Sequence, residues 1–408
     1  MHRYRTRLLA AAAALALAAP AGSALAAPRD AAPAHRSAAA PAEAADDFYL
    51  PPEPLPQGRP GDVIRARPAQ AGPPTARRLA DAWQVMYHST DALGEPAAVT
   101  GTVLVPKAVD PAAAPIVGMG PGTHGPAFRC APSGMIDEGM FYEQPALNEM
   151  LAAGYAVAVT DYAGYRPEPE TTYVVGHAMG PALIDAVRAA QRLPQAGLAE
   201  DAPVVFRGYS QGGGAALWAG QLQPGYAPEL EVAGVVGGGV PADLVQVALP
   251  LEGADGFGLL AYSLIGLDNA YPELRLDAYL NDAGRAAFAD MEAGDCTVEL
   301  LLDYRGRATG DYLTRSPFLE PAWLERVAQN RLGGEPVPVP VFQYHVTRDE
   351  LVPYRQATTL RDAYCAQGTE VVWREYAADH ITGVIRGNAD AMAFIADRLA
   401  GAPVEGGC

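Results

Sequence analysis

The sequence predicts an α/β fold, a mostly parallel central sheet with helices on both faces and an inserted helical cap. Three observations predict it. Short apolar runs alternate with helix-like stretches from about residue 99 onwards. The runs are apolar throughout, as strands buried on both faces are, and do not alternate with polar residues. One of them, Val204-Val205-Phe206, leads into Gly208-Tyr209-Ser210-Gln211-Gly212, a Gly-x-Ser-x-Gly turn followed by small helix-compatible residues.

The elements follow in order. Val99 to Val105 reads as an early strand that stops at Pro106. Ile116 to Met119 is a short buried strand that opens into a glycine-rich loop, and Tyr155 to Thr160 is another strand. A helix is expected around Pro181 to Gln191, with Leu183, Ile184, Val187 and Ala190 on one face. Strands follow at Val204 to Phe206, Val232 to Val236, Val339 to His345 and Val371 to Glu375. A last helix, Ala389 to Leu399, ends before Gly401.

The stretch between Val236 and Val339 breaks this rhythm. It has helix-like periodicity and no convincing strand, and it is far longer than a single strand-to-strand crossover requires. It is expected to form a helical cap or lid over residues 241–335, splitting the core into 47–240 and 336–408. Its very apolar segment Gly256 to Leu267 offers either an acyl-binding wall, with Phe257, Leu260 and Leu264 as candidates, or plain packing of the cap on the core.

The N-terminus reads as an export signal. Arg3, Arg5 and Arg7 precede the apolar run Leu8 to Ala19, which is too short to span a bilayer. Ala24-Leu25-Ala26 is a small-x-small cleavage site, so residues 1–26 are expected to be removed and the mature chain secreted. Residues 27–46 are mostly Ala and Pro and cannot bury a core. No later run is long enough for a membrane span, so no integral membrane segment is expected.

The formal net charge is −18, and loss of the signal arginines makes the mature chain more acidic. Such a chain repels nucleic acid phosphates and anionic lipid surfaces. Four cysteines remain after export: Cys130, Cys296, Cys365 and Cys408. In an oxidising compartment they suggest two disulfides, with three pairings open. No histidine or cysteine pair has metal-ligand spacing, and neither a metal nor a cofactor is expected.

The chemistry centres on Ser210. From the glycine and serine content, about 0.08 such pentapeptides are expected by chance. A serine hydroxyl needs a base, and the base needs an orienting acid. Behind such an elbow the chain order is Ser, acid, His. Only His345 and His380 follow Ser210. His345 lies inside an apolar strand, as a core or edge histidine does. His380 lies in the loop after the last strand, at the catalytic edge, and is the expected base. Asp349 is the first carboxylate past the preceding strand and the expected acid. Glu350 is the runner-up, and Asp379 is disfavoured because it adjoins the base. The oxyanion requires backbone donors. The Gln211 amide is one candidate. The His124 amide, in the loop Gly120-Pro121-Gly122-Thr123-His124-Gly125, is the other.

These residues, taken in series, resemble the secretory lipase family of the fungal lipase A type and its actinobacterial relatives, within the α/β-hydrolase fold. The resemblance runs through Phe48-Tyr49, Cys130-Ala131-Pro132-Ser133, and Val159-Thr160-Asp161-Tyr162-Ala163-Gly164-Tyr165. It continues through the elbow with Ala215-Ala216-Leu217-Trp218-Ala219, then Tyr226-Ala227-Pro228-Glu229-Leu230 and Gly237-Gly238-Gly239-Val240-Pro241. It ends with Asp349-Glu350-Leu351-Val352-Pro353-Tyr354 and His380. It implies a Ser210, Asp349, His380 triad, with oxyanion amides at His124 and Gln211. An aspartate stands at the His124 position in the lipase A type. The resemblance also implies a helical cap and the disulfides Cys130–Cys296 and Cys365–Cys408. It implies hydrolysis of carboxylic esters, often triacylglycerols; for such a substrate a transient contact at an oil–water interface is expected. Acyl transfer to alcohols by the same residues, a serine peptidase, and a non-catalytic secreted lipid-binding module are the alternatives.

Overall fold

The computed structural model describes residues 46–408. The expected export signal and all but the last residue of the Ala/Pro-rich lead-in lie outside them.

Nine strands form one sheet. They are β1 (Val63–Ala69), β2 (Ala80–Thr90), β3 (Pro96–Pro106), β4 (Ile116–Gly120), β5 (Ala156–Thr160), β6 (Val204–Tyr209), β7 (Val232–Gly238), β8 (Val341–Val346) and β9 (Val371–Tyr376). Their spatial order is β1-β2-β3-β5-β4-β6-β7-β8-β9. The pairs from β1 to β5 are antiparallel, and those from β5 through β4 to β9 are parallel. The fold is α/β with a mixed, mostly parallel sheet. β4, β5, β6 and β8 are buried along their whole length. That is why they read as unbroken apolar runs.

Two strands have no counterpart in the sequence expectation. β1 carries Arg65, Arg67 and Pro68 on a half-exposed edge, a composition that resembles a loop more than a strand. β2 mixes Asp81, Gln84 and His88 into its run. Its pairing is set by β1 on one side and β3 on the other. β8 starts at Val341, two residues later than expected. Pro340 has no amide to give to a ladder, although its carbonyl accepts from Val235.

Helices α1 (Pro132–Glu138), α2 (Gln144–Ala152), α3 (Gly176–Arg192) and α4 (Gln211–Tyr226) connect β4 through β7. Strand alternation sorts the core onto two faces. Val204 and Phe206 pack with α3 and α4, whereas Val205 and Tyr209 face Leu147, Met150 and Ile395. Between β7 and β8 run α5 (Leu244–Leu251), α6 (Phe257–Ala270), α7 (Asp282–Gly294), α8 (Thr297–Leu302), α9 (Thr309–Tyr312) and α10 (Pro321–Gln329). The sole β-pairing there, among the described residues, is a bridge of Leu280 with Leu313. These helices share an apolar cluster that also takes in Tyr173, Val174, Val175, Ala178, Leu351 and Val352 of the core. After β8 come α11 (Tyr354–Ala366), α12 (His380–Arg386) and α13 (Asn388–Leu399).

Cys130 is bonded to Cys296 and Cys365 to Cys408, with Cα separations of 5.6 and 5.7 Å. The first ties the loop after β4 to the start of α8. The second ties the C-terminus to α11.

Candidate active site

Ser210 stands between β6 and α4 at φ 56°, ψ −123°. A residue with a side chain rarely adopts positive φ. The turn is held by its neighbours: the Ser210 amide donates to Gly238 O at 2.8 Å, and Ser210 O accepts from Gly214 at 3.0 Å. A Cβ at Gly208 would strike the backbone of Gly212 and Gly120, and one at Gly212 would strike Gly120. The two glycines therefore let the elbow fold tightly against the loop after β4.

His380, the first residue of α12, brings its Nε2 to 2.9 Å from Ser210 Oγ. Its Nδ1 lies 2.8 and 2.9 Å from the two Asp349 carboxylate oxygens. Glu350 accepts from the His380 backbone amide at 3.0 Å, and Tyr209 donates its hydroxyl to the His380 carbonyl at 2.8 Å. Asp379 is exposed and caps α12 by accepting from Thr382 N. Of the three carboxylates weighed from the sequence, Asp349 is the one that meets the imidazole.

Asp349 is fully buried as a side chain. Its Oδ1 also accepts from the amides of Leu351 and Val352 at 3.1 and 2.7 Å. Oδ2 lies 3.2 Å from His345 Nε2, which also donates to Val352 O at 2.9 Å. Burial alone pushes this carboxyl up. The hydrogen bonds from His345 and His380 outweigh it and hold the group well below the usual carboxylate range. His345 does sit inside its strand, but it also donates to the acid. Nothing in its apolar sequence context signals that partner.

The Gln211 and His124 amides find no acceptor among the described residues. The His124 ring is buried and stacks on Phe141 and Tyr142 at centroid distances of 5.2 and 4.8 Å. Its Nδ1 donates to Gly122 O at 2.8 Å, and its Nε2 has no partner among the described residues. Burial lowers its pKa to about 4, so the ring is neutral near pH 7. Glu143 accepts from the Gly122 amide at 2.8 Å, and burial raises its carboxyl to about 7. The loop is thus held from two sides.

Ser210 and His380 open into a cavity of about 510 Å³. Its walls are apolar: Leu244, Val247, Ala248 and Leu251 from α5, Leu259 and Leu260 from α6, Val298 and Leu301 from α8, and Ile381, Val384 and Ile385 from α12. Leu260 is on this wall. Phe257 and Leu264 are not; both are buried in the apolar cluster by which the insertion packs on the core. At 100° per residue, Leu259 and Ser263 lie about 40° apart on the cavity side of α6, and Leu260 stands at the border, about 60° from Ser263 and about 40° from Leu264, so it meets both the cavity and the cluster that holds Phe257 and Leu264. α6 is apolar nearly all round, so its sequence does not tell the two faces apart.

The chain is similar to known proteins over most of its length. A model of the secretory lipase family matches residues 139–407, a span that holds Ser210, Asp349 and His380 but not His124. Lipase 5 of Candida albicans is 30% identical over 391 residues, covering 90% of this chain and 82% of that protein. Secreted triacylglycerol lipase LIP1 of Malassezia furfur is 28% identical, covering 89% and 77%. Among solved structures, Candida antarctica lipase A in its closed state matches with a TM-score of 0.79 at 26% identity, over 88% of this chain and 87% of that one. A rice cell wall degrading esterase from Xanthomonas oryzae shares the fold at 18% identity, with a TM-score of 0.68 over 84% and 99% of the two chains.

Proposed function

The chain belongs to the secretory lipase family, and on that footing we propose that it is a secreted serine ester hydrolase, a lipase acting on triacylglycerols or related acyl esters through an acyl-enzyme. One observation carries the proposal. The Ser210 hydroxyl, the His380 imidazole and the Asp349 carboxylate form a continuous hydrogen-bonded series, and Ser210 and His380 line an apolar cavity.

In the first step His380 Nε2 takes the Ser210 proton as Oγ attacks the ester carbonyl. The tetrahedral oxyanion is stabilised by the Gln211 and His124 amides. His380 then protonates the leaving alcohol, and the acyl group stays on Ser210. Water then attacks the acyl carbonyl as its proton passes to His380, and collapse of this second tetrahedral adduct releases the acid while His380 returns the proton to Ser210 Oγ. Asp349 stays ionised throughout, keeps the Nδ1 proton on His380 and stabilises the imidazolium. Residues 1–26 serve as the export signal, and residues 241–335 form the cap that roofs the site.

The surroundings favour a lipid substrate. Val245 and Leu249, Val298 and Leu302, and Ile381 and Ile385 are exposed. Each pair is one helical turn apart, on three of the four helices that wall the cavity, and Val298, Ile381 and Ile385 reach from the rim into that wall. Leu249 and Ile385 are 71% and 75% exposed. An apolar rim around a site mouth marks an interaction surface. The acidic charge of the chain suits neutral glyceride droplets better than anionic membranes.

A ladder of p-nitrophenyl esters, each dissolved and emulsified, tests this. Each methylene buried in the cavity contributes about 0.8 kcal/mol. Specificity should therefore rise about two- to fourfold per added carbon from acetate to at least octanoate, and emulsified ester should be turned over faster than dissolved ester. Preference for short dissolved esters would make the protein an esterase instead.

A further inference from the structure

Thr297 opens α8 and lines the same cavity as Ser210 and His380. Its hydroxyl donates to the Thr123 carbonyl at 2.5 Å, and its amide donates to the next carbonyl, that of His124, at 2.9 Å. A carbonyl can only accept, so the hydroxyl is the donor. No other group among the described residues donates to Thr123 O.

The peptide between Thr123 and His124 is trans. In a trans peptide the C=O and N–H lie in one rigid plane and point in opposite directions. The Thr123 carbonyl and the His124 amide are the two ends of that plane. Holding the carbonyl therefore fixes the direction of the amide.

We propose that Thr297 is a positioning residue for the oxyanion donor: its hydroxyl locks the Thr123–His124 peptide plane so that the His124 N–H is aimed before substrate arrives. This rests on the acyl-transfer mechanism above. The bond is not needed to hold the two segments together. Cys130 and Cys296 are already disulfide-bonded. Arg129 donates to Gly294 O at 2.7 Å and to Glu299 at 3.0 Å. Gly125 packs so closely on Cys296 that a Cβ would strike its backbone. What the hydroxyl adds is orientation. The insertion thereby supplies part of the oxyanion geometry, and the donor is aligned only while the start of α8 is docked on the loop.

Thr297→Val keeps the shape and removes the donor, and Thr297→Ser keeps the donor. Loss of a whole oxyanion donor costs about 10²- to 10³-fold in kcat; a donor that is present but free to rock should cost about 10-fold. The expected result for Thr297→Val on p-nitrophenyl butyrate is that fall in kcat, with KM within about twofold and Tm unchanged. The inhibition constant of an alkylboronic acid, which forms a tetrahedral adduct, should rise by the same factor. Thr297→Ser should restore both. If Thr297→Val does not fold, Thr297→Ala against Thr297→Ser carries the same contrast. Unchanged kcat and boronate inhibition in the donor-less variant overturn the proposal. So does a loss that tracks Tm and is not restored by serine. A wild type that neither binds the boronate nor reacts with a fluorophosphonate overturns the acyl-transfer mechanism itself, which is a different failure.

Discussion

Replacing Ser210 by alanine is expected to lower kcat by about 10⁶-fold, the scale on which serine hydrolases depend on their nucleophile. The fold should survive. Alanine, like serine, carries a Cβ, so the positive φ at 210 is no more strained after the change than before. The side-chain bond lost is the one to His380 Nε2, at a partly exposed position that opens into the cavity. Stopped-flow absorbance with a p-nitrophenyl ester checks this: the wild type gives a burst of p-nitrophenol and the variant gives none, with Tm within about 2 °C of wild type. A surviving burst means that another group takes the acyl chain.

Asp349→Asn is expected to be the next most damaging change, at about 10⁴-fold in kcat with little change in KM. The sign follows from the hydrogen bonds. Leu351 and Val352 amides donate to Oδ1, so an asparagine places its carbonyl oxygen there. Its NH₂ then faces His380 Nδ1 and His345 Nε2, where a carboxylate oxygen accepted before. Nδ1 lies 2.9 Å from Oδ1 too, but the NH₂ at the nearer position favours Nδ1 as an acceptor, which moves the ring proton to Nε2 and takes the base away from Ser210. Steady-state kinetics separates this from a binding defect. A loss confined to KM, or a kcat within about tenfold of wild type, means that Asp349 does not set the histidine tautomer.

The parts of this molecule legible in its sequence are those where local chemistry and global role coincide. β4, β5, β6 and β8 are buried on both faces, so their composition carries their position. The Ser210 turn is legible because two glycines are forced there by backbone approach. Asp349 is legible because the chain order Ser, acid, His behind such an elbow points to the first carboxylate past the strand before His380. β1 is not legible, since Arg65, Arg67 and Pro68 suit a solvent-facing edge and an irregular loop equally well.

Other features arise only from long-range packing. His345 looks like any strand residue until Asp349 turns back towards it. Thr297 and Thr123 are 174 residues apart in sequence, and no periodicity links them. The lining face of α6 is hidden because nearly every side of that helix is apolar. Phe257 and Leu264 pack in the cluster that joins the insertion to the core, while Leu259 and Leu260 meet the cavity.

The central claim is that Ser210 is the nucleophile and that His380 activates it. Mass-spectrometric mapping of a fluorophosphonate adduct tests it most directly. The predicted result is one adduct per chain, on the peptide that contains Ser210, with labelling slowed at least about 10³-fold in His380→Ala. An adduct on any other residue, or full-rate labelling without the imidazole, contradicts it.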